Sequence, residues 1–509
     1  MTKFMSAQEA VSLIKDNDTL VVDGFVNSTQ PDALCAVLEE RFLSSGSPTN
    51  LTLVFTAAGA LNHLGHENLV KRAVGGYWKL APKLGDLAME NKIEAYNLPQ
   101  GLLAQLFRDT AAGKVGTVTH VGLKTFVDPR NTGGKLNAKT TEDLVELVNL
   151  AGRELLLYKS FPFDCCLLRG SVADEKGNVA MDKEGLTLGA TAIAQAVKNS
   201  GGKVIVQVNQ KVKSDTLDPK LVKIPHIYVD AVVVLPTAVH RPEVDVDMIP
   251  VYCGETRVPT DAIPPIPLNE RKIIGRRAAM ELTPGAVVNL GIGIPEAVAA
   301  VTNEEGIGDY MTLTVEAGPV GGIPTSGPLF GLSANADCIL DQAVQFDFYD
   351  GGGLDLAFVG LAECDKTGNI NVSKMGPRIT GCGGFINITQ NAKRLFFCGT
   401  FTAKGLEIAA GDGKLTIVRE GSVDKFHEQV DHVTFSGEYA AEKGQPVLYI
   451  TERAVFKLEK DGLHLIEVAP GVDIEKDILA HMAFKPVING QPKLMDARIF
   501  TDAPMGIGA

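Results

Sequence analysis

The 509-residue sequence has few aromatic side chains and a single tryptophan, and it lacks the patterns that mark several common classes of protein. Its 8 cysteines form no Cys-x-x-Cys pair, which argues against a zinc site or a disulfide framework and favours reduced thiols. Basic residues number 48 against 61 acidic ones, and the net charge of -13 argues against nucleic acid as a partner, because phosphate binding needs a basic face. No apolar run approaches membrane-spanning length, and the first residues contain no apolar signal core. We therefore expect a cytoplasmic protein without a membrane or nucleic acid partner and without a metal.

The length and the distribution of proline predict two domains joined by a linker. A chain of 509 residues exceeds the usual size of one domain. Six prolines interrupt residues 241–268, and acidic residues cluster where this segment begins, as in interdomain linkers. We therefore predict an N-terminal domain at 1–240, a proline-rich linker at 241–268 and a C-terminal domain at 269–509.

Similar segments recur in the same order in the two halves of the sequence. Val21-Val22-Asp23-Gly24, followed by Pro31-Asp32, is similar to Val287-Val288-Asn289-Leu290-Gly291, followed by Pro295-Glu296. Asp174-Glu175-Lys176-Gly177-Asn178-Val179 is similar to Asp365-Lys366-Thr367-Gly368-Asn369-Ile370. Two such pairs in one order predict a duplicated α/β unit.

A lone carboxylate, Glu316, follows an apolar run that predicts a buried strand, Met311-Thr312-Leu313-Thr314-Val315. An acid at the carboxyl end of a strand in an open α/β sheet faces the crevice where such folds bind ligands. The glycines and prolines of residues 318–324 leave Glu316 few bulky neighbours and bring backbone amides near it, as a reactive carboxylate requires. The alternative is that Glu316 only caps a turn.

Two glycine-rich loops are candidate binding elements. Gly291-Ile292-Gly293-Ile294-Pro295 lies between a predicted strand and a predicted helix, where backbone amides and the helix dipole favour an anion. The loop lacks the third glycine of a dinucleotide fingerprint, and no Gly-Lys-Ser/Thr follows as in a P-loop. In Gly381-Cys382-Gly383-Gly384, successive N–H groups can converge on an oxyanion. The alternative for this second loop is a tight turn without a ligand.

Together these segments resemble the coenzyme A transferases that work through a glutamyl–CoA thioester. The resemblance is carried by the Glu-x-Gly signature at Glu316-Ala317-Gly318 and by the segments 346–355, 368–374 and 381–387. It covers essentially the whole chain and is strongest to the single-chain acetate/propionate branch, in which two halves are fused. It implies an α/β fold with two related open parallel-sheet domains flanked by helices, and an active site in the cleft between them.

The resemblance also implies roles for individual residues. Glu316 would be the nucleophile, Gly383 and Gly384 would supply oxyanion donors, and Gln100 would contact the substrate through its side-chain amide. The residues implied to bind CoA are Asn289, Gly291, Gly293 and Gly381. No bound cofactor is implied, since the CoA thioester is itself a substrate, and a homo-oligomer, a tetramer in related proteins, is expected. In the loop 23–31, Asp23 and Thr29 stand where many relatives have glycine.

The expected function is transfer of CoA from a short-chain acyl-CoA to a free carboxylate such as acetate. One alternative is an acyl-CoA hydrolase on the same scaffold, which differs by admitting water. Another is a non-catalytic CoA-binding sensor, which we would expect to lack Glu316 or the loop 381–384. The acyl group and the acceptor acid are not determined by these motifs.

Overall fold

The computed structural model describes residues 3–235, 249–259 and 265–508. By their contacts these residues form two compact units. Unit 1 comprises Met1–Val258, Val315–Asp347 and Gly376–Asn387, and unit 2 comprises Pro259–Thr314, Phe348–Met375 and Ile388–Ala509. Residues 241–248 and 260–264 of the predicted linker lie outside the described residues, so the division at 1–240, 241–268 and 269–509 stays a prediction. Glu316 and the loop 381–384 come from the second half of the sequence but belong to unit 1.

Unit 1 is built on a sheet of eight parallel strands. The central strands are runs of valine, leucine and isoleucine that are buried on both faces, as expected when helices cover a parallel sheet. The register places Cys166 between Val21 and Val204. From one edge to the other the strands are Lys3–Phe4, Ala231–Val234, Lys203–Val212, Cys165–Asp174, Thr19–Val22, Leu51–Phe55, Val70–Gly75 and Glu94–Asn97.

Helices and smaller sheets complete unit 1. Three antiparallel strands form a separate sheet in the order Gly116–Thr119, Arg153–Lys159, Val145–Leu150. Two short strands, Val179–Ala180 and Val222–Ile224, extend the main sheet in antiparallel fashion. The helices assigned wholly to this unit are Ala7–Val11, Asp32–Ser45, Pro82–Met89, Gln100–Ala111, Ala190–Asn199 and Ile249–Tyr252, with a 3-10 helix at Gly59–Leu64. The short strand pairs are Phe25–Val26 with Ala57–Ala58, Pro319–Val320 with Cys338–Ile339, and Ile323–Pro324 with Ser333–Ala334, and Arg378–Ile379 is a further short strand.

Unit 2 has five parallel strands followed by an antiparallel extension. The parallel strands, in spatial order, are Met311–Thr314, Ala286–Leu290, Leu356–Gly360, Arg394–Cys398 and Val447–Ile450. The antiparallel extension is Ala454–Glu459 and Gly462–Val468, and the edge strand Lys493–Leu494 pairs in parallel with Gly462–Val468. The helices are Glu270–Ala279, Ala297–Glu304, Gly437–Lys443 and Ile474–Asp477, and Gln342–Asp350 and Phe385–Asn391 are further helices of the chain. The smaller strands of unit 2 are Glu363–Asp365, Ile370–Asn371, Thr402–Ala403, Glu407–Gly411, Lys414–Arg419, Val423–Asp424 and Phe426–His427. Its short 3-10 segments are Ile294–Glu296, Gly308–Tyr310, Leu479–His481 and Ala497–Phe500, and another, Gly327–Leu329, belongs to unit 1.

The second pair of similar segments forms the same turn in each unit. Asp174 Oδ1 accepts hydrogen bonds from the N–H groups of Gly177 and Asn178, and its Oδ2 accepts one from Asn178 Nδ2. Asp365 Oδ1 accepts from the N–H groups of Thr367 and Asn369, and its Oδ2 accepts from Asn369 Nδ2. An aspartate that bonds the backbone ahead of it makes a tight turn between two strands in both places.

Local predictions about the elements agree with the structure. Ser6 and Glu9 form the predicted capping box, in which Ser6 Oγ accepts from the Glu9 N–H and the Ser6 N–H donates to Glu9 Oε2. The two parallel-sheet α/β domains flanked by helices are present, so the predicted fold class is confirmed. None of the helices in the described part of the chain is long and apolar enough to cross a membrane.

Candidate functional site

Glu316 lies at the corner of a tight turn that follows the strand Met311–Thr314. The Gly318 N–H donates to the Val315 carbonyl at 3.0 Å, and the Val315 N–H donates to the Pro319 carbonyl at 2.9 Å. Val315 and Ala317 are buried, whereas Glu316 is half-buried. Gly318 has a φ of +133°, and a Cβ there would overlap the Leu340 carbonyl oxygen. The Glu-x-Gly spacing is therefore required by the turn that presents the carboxylate.

The loop 381–384 packs against the backbone that follows the strand Val70–Gly75. Gly381 has a φ of +79°, and a Cβ there would lie 2.5 Å from the Gly76 carbonyl oxygen. The Gly383 N–H donates to that same oxygen at 3.1 Å. The Gly383 N–H thus already holds the loop in place, and its role as an oxyanion donor stays a prediction.

Gly384 faces the carboxylate side chain directly. A Cβ built on Gly384 would lie 3.4 Å from Cγ of Glu316 and 3.1 Å from Cζ of Phe346. Its N–H makes none of the backbone hydrogen bonds found among the described residues of loops and turns. Of the two predicted oxyanion donors, Gly384 is the one whose neighbours include the Glu316 side chain.

Gln100, at the start of the helix Gln100–Ala111, contacts the same loop. Its backbone N–H donates to the Gly383 carbonyl at 2.9 Å, and its side chain is 1% exposed. Its Oε1 lies 3.6 Å from the position of a Cβ on Gly383. Its Nε2 is buried and has no hydrogen-bond partner among the described residues. A buried donor without a partner is costly, and a ligand oxygen would satisfy it.

Two further residues of this region were not singled out from the sequence. Asn97 accepts from the Cys382 N–H at 2.9 Å and donates to the carbonyls of Gly75 and Gly76 at 2.9 and 2.6 Å. Tyr77 is a neighbour of Glu316: burial, with the Glu316 charge adding to it, raises the pKa of the phenol to about 12. The only sequence signal for Asn97 is its place at the carboxyl end of a strand, immediately before Leu98-Pro99-Gln100.

An apolar cluster surrounds the turn that carries Glu316. Val315 and Ala317, which flank the carboxylate, pack with Phe25, Phe330 and other side chains of unit 1. The rings of Phe25 and Phe330 are stacked with their centroids 6.0 Å apart. These side chains therefore place an apolar surface next to the turn that carries Glu316.

The predicted CoA-binding loop of unit 2 has the expected strand–loop–helix form. Asn289 is buried, and its amide donates to the Thr314 carbonyl at 3.2 Å and the Tyr349 hydroxyl at 3.4 Å. The Gly291 N–H donates to the Phe358 carbonyl at 2.7 Å. Gly293 has a φ of +89°, and a Cβ there would meet nothing within 4 Å. The Asn289 amide and the Gly291 N–H are therefore bonded within unit 2, whereas no neighbouring atom covers the backbone of Gly293.

In unit 1, a carboxylate on a tight turn, a glycine N–H and a buried side-chain amide therefore lie together in an α/β protein. Acyl-transfer chemistry needs such a nucleophile with fixed donors beside it. In the described ranges, no group of three or more histidine, cysteine, aspartate or glutamate side chains is arranged to hold a metal ion.

Comparison with known proteins identifies the family. The model of the family named Coenzyme A transferase matches residues 4–235. The chain is 47% identical to a caffeate CoA-transferase of Acetobacterium woodii, over 99% of this chain and 98% of that protein. It is 45% identical to the acetate CoA-transferase YdiF of Escherichia coli (strain K12), over 99% of this chain and 96% of that protein. The crystal structure of the acyl-CoA transferase YdiF apoenzyme from Escherichia coli O157:H7 matches with a TM-score of 0.94 at 44% identity, over 99% of this chain and 97% of that one. The chain belongs to the coenzyme A transferase family.

Proposed function

We propose that this CoA-transferase moves CoA from a short-chain acyl-CoA to a free carboxylate such as acetate, through a covalent thioester on Glu316. The observation that carries the proposal is the contact between Gly384 and the Glu316 side chain, where a Cβ on the glycine would be 3.4 Å from Cγ of the glutamate. A carboxylate without a side chain opposite it leaves room for a thioester to approach.

The reaction balances without ATP or a bound cofactor, since the CoA thioester is the substrate. The Glu316 carboxylate attacks the acyl carbonyl and expels CoA thiolate, which leaves an acyl–glutamyl anhydride. The thiolate then attacks the glutamyl carbonyl and expels the free acid, which leaves glutamyl–CoA. An acceptor carboxylate attacks the glutamyl carbonyl and again expels CoA thiolate. The thiolate attacks the acceptor's acyl carbonyl, which forms the new acyl-CoA and restores Glu316.

Each addition passes through an oxyanion, and two donors are available for it. They are the N–H of Gly384, which lies beside Glu316, and Nε2 of Gln100, which has no partner among the described residues. The loss of one oxyanion donor typically costs about 3 kcal/mol of barrier. Burial, with the Glu316 charge adding to it, raises the pKa of the Tyr77 phenol to about 12, so the phenol is neutral at physiological pH.

The named relatives support CoA transfer as the reaction, but they differ in the acid that gives each its name. One of them is a caffeate CoA-transferase and another an acetate CoA-transferase, at 47% and 45% identity. A crystal structure of the YdiF enzyme is a thioester complex with CoA, and it matches this chain with a TM-score of 0.93 at 44% identity. A thioester in so similar a protein supports a ping-pong route here, and acetate remains a proposed acceptor.

The setting of the enzyme is also a proposal. All eight cysteines are free thiols, which supports a reducing compartment such as the cytoplasm. Family resemblance supports a homo-oligomer, and light scattering of the purified protein would give a mass near four times 54.1 kDa if it is a tetramer. Gly293 and Gly381 are proposed to approach the CoA moiety through their backbone.

The decisive experiment is to charge the enzyme with acyl-CoA in the absence of an acceptor. Intact-mass and peptide analysis should find CoA on Glu316, and borohydride should inactivate the protein only after acyl-CoA is added. Glu316→Gln should abolish charging and transfer. The matched control is Glu94→Gln, another half-buried glutamate of unit 1, whose side chain is 28% exposed and pairs with Arg72; it should be charged normally. Modification at another residue would refute the nucleophile, and steady CoA release without any acceptor would identify a hydrolase.

A further inference from the structure

The ring of Phe346 lies between the helix that begins at Gln100 and the glycine loop that contains Gly384. A Cβ built on Gly101 would lie 2.4 Å from Cδ1 and 2.5 Å from Cγ of Phe346. A Cβ built on Gly384 would lie 3.1 Å from Cζ and 3.3 Å from Cε1 of the same ring. Because Cγ and Cζ are opposite corners of a phenyl ring, one end of the ring contacts the start of the helix and the other end contacts the loop.

The backbone of Gly101 is in direct contact with both Phe346 and Asn387. A Cβ on Gly101 would lie 2.6 Å from Nδ2 of Asn387, and the Gly101 N–H donates to Asn387 Oδ1 at 3.2 Å. Distances this short leave no room for a side chain at position 101, so the ring packs on the helix backbone itself. That backbone continues directly from Gln100, whose Nε2 is one of the two available oxyanion donors.

The residue after Phe346 fastens the same two helices further along. Asp347 Oδ1 accepts from Gln105 Nε2 at 3.1 Å and from Arg108 Nη2 at 3.2 Å, and its Oδ2 accepts from Arg108 Nη1 at 2.6 Å. Gly101, Gln105 and Arg108 are spaced i, i+4 and i+7, so they lie on one face of their helix. A guanidinium that holds both oxygens of a carboxylate fixes orientation as well as distance. Phe346 is thereby held against Gly101.

The end of the ring that contacts the loop is also near the proposed nucleophile. The Cβ position on Gly384 is 3.1 Å from Cζ of Phe346 and 3.4 Å from Cγ of Glu316, so the ring and the glutamate side chain have Gly384 as a common neighbour. Phe346 is 0% exposed. Because protein interiors are close-packed, a change in the length of this side chain moves the loop relative to the helix.

We propose that Phe346 is a positioning residue, whose ring sets the separation between the two oxyanion donors, the Gly384 N–H and Gln100 Nε2. This inference rests on the proposed function. The hydrogen bond from the Gln100 N–H to the Gly383 carbonyl, at 2.9 Å, joins the helix to the loop one residue before the donor of Gly384. The ring adds a contact at Gly384 itself, and two contacts fix the orientation of the loop as well as its distance. Oxyanion donors accelerate acyl transfer only when they are held in place before the reaction.

The test separates the reach of the side chain at position 346 from its volume. Phe346→Leu keeps carbon atoms next to Gly101 but lacks the end of the ring that contacts Gly384, whereas Phe346→Met is about as large as leucine and reaches further. The rate at which acetyl-CoA charges Glu316 and the steady-state transfer to propionate are measured. Phe346→Leu should lower kcat and kcat/KM together by about tenfold, because the donors are misplaced in the transition state. Phe346→Met should stay within about threefold of the wild type.

The matched control is Phe426→Leu, at another fully buried phenylalanine. Phe426 belongs to unit 2, and its ring packs with those of Phe401 and Phe456 at centroid distances of 4.8 and 5.3 Å. This variant should lower Tm, while kcat, calculated for the folded fraction, stays equal to that of the wild type.

The outcomes separate the role of Phe346 from the proposed function. If the wild type is charged on Glu316, a wild-type kcat in Phe346→Leu, or an equal loss of kcat in the leucine and methionine variants, would overturn the role of Phe346 alone. If Phe346→Leu does not melt cooperatively, Phe346→Tyr decides, because it keeps the ring and adds a hydroxyl at Cζ beside Gly384. Its kcat should fall by about tenfold, and an unchanged kcat would overturn the role. A wild type that acyl-CoA does not charge would overturn the proposed function and this inference with it.

Discussion

A substitution at Gly384 can distinguish a loop that is only a structural turn from a loop that takes part in catalysis. A branched side chain there would enter the space between Phe346 and Glu316, where even a Cβ would sit at 3.1 and 3.4 Å. We expect Gly384→Val to lower kcat by about 100-fold or more while the protein still melts cooperatively, because the thioester oxygen loses access to the backbone N–H. Gly308→Ala, at an exposed glycine with nothing within 4 Å of its Cβ position, is the control. A stable Gly384→Val enzyme with full activity would remove the loop from the mechanism.

Asp23 is a buried carboxyl group whose titration should be visible in stability. Burial, with the Asp341 charge adding to it, raises the pKa of Asp23 from its ordinary 3.8 to about 7 despite the N–H groups of Gly24 and Gly189 that bond it. Between these two values the folded protein keeps a proton that the unfolded chain releases. Stability therefore falls as the pH rises from about 4 to about 7, by up to about 4 kcal/mol, and the loss is complete above that range.

The measurement for Asp23 is the melting temperature at pH 5 and at pH 8. Asp23→Asn cannot release this proton, so its Tm relative to wild type should be higher at pH 8 than at pH 5. Asp128→Asn gives a control of opposite sign: burial of Asp128 is outweighed by the bound Arg130 guanidinium, which lowers the pKa of the carboxyl. That variant should lose more stability at pH 8 than at low pH. A Tm difference for Asp23→Asn that does not depend on pH would show that Asp23 is ionised throughout.

At the scale of elements, the end of the strand Glu94–Asn97 holds the glycine loop in position. Asn97 bonds the Cys382 N–H and the carbonyls of Gly75 and Gly76. Asn97→Ala removes the acceptor of the buried Cys382 N–H, at a cost of roughly 1–3 kcal/mol. The carbonyls of Gly75 and Gly76 keep the N–H groups of Leu98 and Gly383 as donors. We expect a lower Tm together with a fall in kcat, because Gly384 moves with the loop.

Asn137 provides a matched control for that prediction. It also bonds two carbonyls through Nδ2, those of Ala88 and Ile93 at 2.7 and 2.9 Å, and none of its bonds is to the loop 381–384. Asn137→Ala should lower Tm by a similar amount, while kcat, calculated for the folded fraction, stays equal to that of the wild type. Equal kcat in the two folded variants would mean that Asn97 is only structural.

Features that depend on contacts between residues close in the sequence could be predicted, whereas features that depend on distant residues could not. The Ser6–Glu9 capping box and the Asp174 and Asp365 turns use partners within four residues, so their patterns are readable along the chain. Asn97 and Cys382 are hydrogen-bonded although they are 285 positions apart in the sequence, and no local sequence pattern predicts such a pair. The run of glycines predicts a loop with several N–H groups, but which of them is already bonded depends on Gly76, which is distant in the sequence.

At the scale of the whole molecule, unit 1 is assembled from both halves of the sequence. The segments Val315–Asp347 and Gly376–Asn387 are internal to it, and its apolar cluster joins Phe25 to Phe330. A chain expressed as two fragments divided within 241–268 should therefore associate when co-expressed, since each fragment alone would expose apolar surface that the other covers. Co-purification through a tag on one fragment measures this association.

The same two fragments test how much of the site each half of the sequence supplies. The second fragment carries Glu316 and Gly384, whereas Gln100, Asn97 and Tyr77 are on the first. We expect acyl-CoA to charge Glu316 in the co-purified pair and to leave the second fragment uncharged by itself, because the loop 381–384 then lacks the backbone of Gly76 that bonds it. A pair assembled with Glu316→Gln should associate equally well without being charged, which separates folding from chemistry. Full charging of the second fragment alone would mean that the nucleophile needs none of the contacts described for unit 1.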